Sequence, residues 1–117
     1  MKIDPREPPR TFHVAGVDIS HVADVELEPD ELITFKTESG SEWDVSRKSF
    51  GWYATPSLNR RLPEHGLRGA LVANADGRVA VLLVEPDRMA DFDAYCEEQS
   101  MRVLVWLDAD DIAEQLG

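Results

Sequence analysis

Apolar and polar residues alternate with a period of two over the first half of the chain. Phe12 and Val14 stand between polar neighbours, and Val17 and Ile19 repeat the pattern after Ala15-Gly16, where the phase shifts as it does at a bulge or tight turn. Val25 and Leu27 alternate with Asp24, Glu26 and Glu28, a half-buried edge-type strand that Pro29-Asp30 ends. Ile33, Phe35 and Thr37 precede Glu38-Ser39-Gly40-Ser41, and Trp43 and Val45 follow it; this predicts a hairpin, which Phe50, Trp52 and Ala54 extend with a third strand.

Beyond Ala54 the period lengthens. Thr55-Pro56-Ser57 has the composition of a helix start, with Thr55 as N-cap and Pro56 at the first helical position, where its missing donor is an orphan anyway. Leu58 and Leu62, four apart, share a face, and Pro63 ends the helix. A second hairpin runs from Leu71-Val72-Ala73 through Asp76-Gly77, read as a type I′ turn, to Val79–Val84. That last run is apolar on both faces and so reads as a central strand. Pro86 begins a helix to about Gln99, with Met89, Phe92, Cys96 and Gln99 on one side and Asp91, Asp93, Glu97 and Glu98 on the other. Arg102 to Leu107 is a buried strand reached by a right-handed crossover. Asp108 caps a final helical turn that carries Ile112 and Leu116.

The fold class this order predicts is α+β: one domain over residues 11–117, with a mixed, mostly antiparallel sheet and about three helices packed on one face. Residues 1–10 read as a flexible N-terminal arm. Pro5, Pro8 and Pro9 lack amide donors, and apolar residues are too few to offset the entropy of ordering. An arm that docks on a partner is the alternative.

Composition narrows the function classes. The 117 residues contain one cysteine, Cys96, so no internal disulfide forms, and a cytoplasmic location is expected. The charged first ten residues lack the apolar core of a secretory signal, and Val79–Val84 is too short to cross a bilayer. A net charge of −11 disfavours nucleic acid as a partner. No metal or cofactor is expected. His13, His21 and His65 match no ligand spacing, and the chain has no P-loop, dinucleotide-binding glycines, calcium loop or Gly-x-Ser-x-Gly elbow.

The charge is unevenly spread. Residues 1–46 carry 11 acids and 4 bases and residues 79–117 carry 10 acids and 2 bases, but residues 47–78 carry 2 acids and 6 bases. This basic island holds the candidate ligand-binding residues Arg47, Lys48, Trp52, Tyr53, Ser57, Arg60, Arg61, His65 and Arg68. A helix starting at Ser57 offers free amides and a positive dipole end to an anion, the arginines offer charge-assisted bonds, and Trp52 and Tyr53 offer flat stacking surfaces. Exposed Trp, Tyr and Arg equally mark protein-binding hot spots. The competing structural reading has Arg60 and Arg61 offsetting a helix dipole, Phe50 or Trp52 in the core, and the bases paired with the chain's own acids.

The expected function is therefore a small binding or accessory module that contacts a protein partner or a small anionic ligand through residues 47–68, a reading that leans away from an enzyme. One alternative is an enzyme acting on an anionic metabolite, with Arg60, Arg61 and His65 nearest the chemistry. Another is an acidic inhibitor that mimics nucleic acid. Monomer and homodimer both stay open: Val25–Leu27 has the pattern of an edge that pairs with a twin, and its acids oppose that pairing.

Overall fold

The computed structural model describes residues 1–117. Strands take 47% of them and helices 19%, in three small antiparallel sheets with one helix longer than five residues. The expected α+β layer of three helices on a mixed sheet does not form. Two of the three helices shrink to four and five residues, so they supply no layer. Contacts divide the chain into two compact units, Met1–Ile33 with Ser46–Tyr53, and Thr34–Val45 with Ala54–Gly117. The boundaries fall within strands β3 (Leu32–Lys36) and β4 (Glu42–Lys48).

The first unit is built on a two-stranded ribbon, β1 (Lys2–Val14) antiparallel to β2 (Val17–Glu26). Residues 2–10, expected as an arm, form the first part of β1. Ala15 and Gly16 join the strands with φ of +51° and +80°, a two-residue turn whose twist matches the ribbon's. Residues 6–9 stand between paired Pro5 and Arg10, where β2 has only Val22. Pro8 and Pro9, which cannot donate to a ladder, fall in this bulge. In β2, Val17, Ile19, His21, Ala23 and Val25 share one face by the period of two. Their partners Val14, Phe12, Arg10, Pro5 and Ile3 share it with them. The other face pairs Lys2 with Glu26, Asp4 with Asp24, Thr11 with Ser20 and His13 with Asp18. In the same unit β5 (Gly51–Tyr53) pairs with the end of β4, Arg47 opposite Trp52 and Lys48 opposite Gly51.

The second unit holds a three-stranded antiparallel sheet of order β7-β6-β8, with β6 at Arg68–Ala73, β7 at Val79–Val84 and β8 at Arg102–Trp106. β6 is the central strand; β7, expected there, is an edge. A charge-free run suits either position, and burial decides it: Gly69, Ala70, Val72 and Ala73 of β6 are buried, whereas Val79, Ala80 and Val81 of β7 are exposed. A single 3-10 turn at Pro86–Arg88 leads into α2 (Met89–Glu98). Its Phe92 and Cys96 close the core formed with Ala70, Val72 and Val84. Phe92 meets the Trp106 ring edge-on at 5.5 Å between centroids.

Two sequence expectations fail in this unit for local reasons. The β6–β7 turn is not type I′, because only Gly77 has positive φ (+80°). Asn74 organises a three-residue loop instead, its side-chain oxygen accepting the amides of Asp76 (3.0 Å) and Arg78 (2.9 Å). The last helix, α3 (Ile112–Leu116), starts at Asp111 rather than Asp108, whose carboxylate has another partner. No helix of the chain is long and apolar enough to cross a membrane.

The ribbon turn provides a stability test. Ala15 holds a left-handed conformation that asparagine adopts more easily. Ala15→Asn is expected to stabilise the ribbon by up to about 1 kcal/mol, read from amide exchange at Phe12 and Ile19. Gly16→Ala should shift the same amides in the opposite direction.

Candidate functional site

The nine residues singled out in the basic island fall in both units. Arg47, Lys48, Trp52 and Tyr53 belong to the first, and Ser57, Arg60, Arg61, His65 and Arg68 to the second.

In the first unit the end of β4 is clamped to the segment before β3. Arg47 Nη1 donates to the Leu27 carbonyl at 3.1 Å, its amide donates to the Glu31 carbonyl (3.0 Å), and its own carbonyl accepts from Asp30 (2.7 Å). Lys48 Nζ lies 3.0 Å from an Asp30 carboxylate oxygen. Both cations are thus held by protein oxygens. The short turn at Ser49-Phe50 then sends the aromatic residues outward: Phe50 is 80% exposed, Trp52 52% and Tyr53 49%. Beside them a cleft of about 440 Å³ opens between Trp52 and Arg47 on one side and Lys2, Asp4, Asp24 and Glu26 of the ribbon on the other. Asp24 is engaged by Arg6 at 2.6 Å and His21 at 2.9 Å.

In the second unit the expected helix start at Ser57 is absent. Residues 57–60 form turns, and α1 spans only Arg61–Glu64. Ser57 Oγ accepts the Arg61 amide (2.9 Å) and the Ser57 carbonyl accepts that of Leu62 (3.0 Å). Two of the amides on which an anion would draw are therefore already bonded. Pro63, expected to end the helix, sits within its first turn, where no donor is needed. Buried Leu62 anchors the segment. Arg60 and Arg61 are exposed. Arg68 places Nε 2.6 Å from Asp108 Oδ2 and its guanidinium 4.0 Å above the Trp106 ring. The hydrogen bond from Arg68 holds the Asp108 carboxyl below its ordinary range, against the opposing effect of burial. His65 Nδ1 is 3.4 Å from Glu42.

Each remaining histidine also faces a carboxylate, His13 that of Asp18 at 2.8 Å and His21 that of Asp24. No group of three or more His, Cys, Asp or Glu residues is placed to hold a metal ion. Cys96 is buried under α2, and desolvation, then the charge of Asp93, pushes its thiol upward.

Two surfaces were not singled out from sequence. One is the apolar face of the ribbon, where Phe12, Val14, Val17 and Ile19 are each at least 40% exposed. Its signal is present in the alternation around Ala15-Gly16, and the proline-rich start of β1 masks it. The other is a groove of about 440 Å³ in the second unit, lined by Phe35, Trp43, Leu82, Val84, Phe92 and Tyr95 among others. Phe35 and Trp43 stack there at 5.1 Å. At its rim Glu85 accepts hydrogen bonds from Ser39 and Thr37, and these hydroxyls with that of Ser41 keep its carboxyl below the usual range. Compared with known proteins, the chain matches no family model, no curated protein and no solved structure.

The Arg68–Asp108 pair sets a pH dependence. A carboxyl whose folded pKa is depressed contributes stability above its unfolded pKa and loses it as pH falls through the folded value. Asp108→Asn should cost about 1–2 kcal/mol at neutral pH. In denaturant titrations that cost should shrink progressively once the pH drops below the ordinary 3.8.

Proposed function

We propose that the chain is a protein-binding module whose contact surface lies in the first unit, on the β4–β5 hairpin. One observation carries this reading: Phe50, Trp52 and Tyr53 are all exposed on one short hairpin, the last two on opposite faces of β5, and the hairpin's base is fixed by Arg47 and Lys48. Aromatic side chains on a rigid base carry little ordering cost and are enriched among residues that dominate interface energies. The engagement of Arg47, Lys48 and Arg68 by protein oxygens supports a protein partner over a small anion. The net charge of −11 favours a partner with a basic surface, approached faster at low ionic strength.

The reading is tested by capture with immobilised full chain from cells that express it. A photo-crosslinking residue at position 50 identifies what is bound. Phe50→Ser with Trp52→Ala, checked for folding by circular dichroism, should weaken the crosslinked partner's affinity roughly thirtyfold or more. Tyr95→Ser, in the second unit, should leave it unchanged. Equal affinity of the hairpin variant and the original chain would refute the assignment.

A further inference from the structure

We infer that the apolar face of the β1–β2 ribbon is a self-association surface, covered by the same face of a second copy of this chain. Among the paired positions of the ribbon, that face carries Ile3, Pro5, Arg10, Phe12 and Val14 from β1, and Val17, Ile19, His21, Ala23 and Val25 from β2. Phe12 lies opposite Ile19, Val14 opposite Val17, and Ile3 opposite Val25, so the apolar side chains stand side by side along the ribbon. A two-stranded sheet with nothing on either flank leaves this face in water: exposures run from 38% at Val25 to 53% at Ile3.

Charge permits a second copy on this face. The chain has 23 acidic residues, and like charges oppose the approach of two copies. The paired positions of the apolar face carry no acid and one arginine, Arg10, whose guanidinium lies 5.3 Å from the Phe12 ring centroid. The acids at paired positions alternate to the opposite face, at Asp4, Asp18, Asp24 and Glu26, and the Asp24 carboxylate is engaged by Arg6 at 2.6 Å and His21 at 2.9 Å. Two copies that meet through their apolar faces turn the carboxylates of Asp4, Asp18 and Glu26 away from each other. The faces then pack about 10 Å apart, as two sheets do in a sandwich, related by a two-fold axis.

The area fits such a contact. If each fully exposed residue of this kind, backbone included, presents about 150–200 Å², Ile3, Phe12, Val14, Val17, Ile19 and Val25 leave roughly 450 Å² uncovered. That is over half of the ~800 Å² per partner buried in a stable interface. Pro5, Arg10, His21 and Ala23 on the same face extend it.

Sedimentation equilibrium of the full chain, up to about 100 μM, where a micromolar dimer is nearly saturated, tests the inference. The expected mass is twice the 13.1 kDa of one chain. Phe12→Glu should raise the dissociation constant at least tenfold. Should that substitution unfold the ribbon, Val17→Thr keeps a β-branched residue there and should weaken the dimer in the same direction. Asp18→Asn, on the opposite face, and Trp52→Ala, on the proposed partner hairpin, should leave the dissociation constant unchanged, which separates this surface from that one. A single-chain mass throughout the concentration range, or a dimer that Phe12→Glu and Val17→Thr do not weaken, would overturn the inference.

Discussion

Two antiparallel strands can satisfy much of each other's backbone hydrogen bonding, but they offer no second layer on which to bury a face of side chains. That constraint governs the first unit. Around its turn the ribbon divides, with Thr11, His13, Asp18 and Ser20 on one face and Phe12, Val14, Val17 and Ile19 on the other. Nothing in the unit roofs the apolar side, as the exposures of these four residues show. The same limit applies to β5, three residues long, which leaves Trp52 and Tyr53 half in water. Apolar surface is therefore concentrated where the architecture lacks the means to hide it.

The second unit meets the constraint in the usual way. α2 crosses between β7 and β8, and its Phe92 and Cys96 cover one face of the sheet around Ala70 and Val72. Polar groups there serve the fold. Arg68 is divided between Asp108 and the Trp106 ring, and Glu85 ties the end of β7 to the hydroxyls of the β3–β4 turn. The basic island is thus divided between the two units, with Arg60 and Arg61 left exposed. In one unit its cations brace a hairpin that displays aromatic rings; in the other its best-placed arginine neutralises an internal acid.

What the chain reveals before folding follows the range of the interactions involved. Strands set by a period of two were legible, including β3, β4 and β5, as were the end of β6, from the apolar run Leu71-Val72-Ala73, and the amphipathic helix that carries Met89, Phe92 and Cys96. Local chemistry misled where two readings share the same residues. Asp76-Gly77 suits a type I′ turn, but the Asn74 side chain bonds two amides and selects a different loop. Thr55-Pro56-Ser57 suits a helix start, but the turns at residues 57–60 use its bonding groups first. Val79–Val84 has no charge to mark it as an edge, since its position depends on β8, some twenty residues later in the chain. At the candidate site, the exposure of Trp52 and Tyr53 depends on a clamp between Arg47 and residues 27–31 that no short-range pattern encodes.

The central claim, that residues 2–26 form an amphipathic ribbon whose apolar face is closed by association, is tested most directly by amide hydrogen exchange across Thr11–Ser20 as a function of chain concentration. Exchange reports the free energy of opening residue by residue. The account predicts alternating protection on both strands, deepening as concentration rises. Protection that does not change with concentration, or exchange at the rate of an unstructured chain throughout, would contradict it.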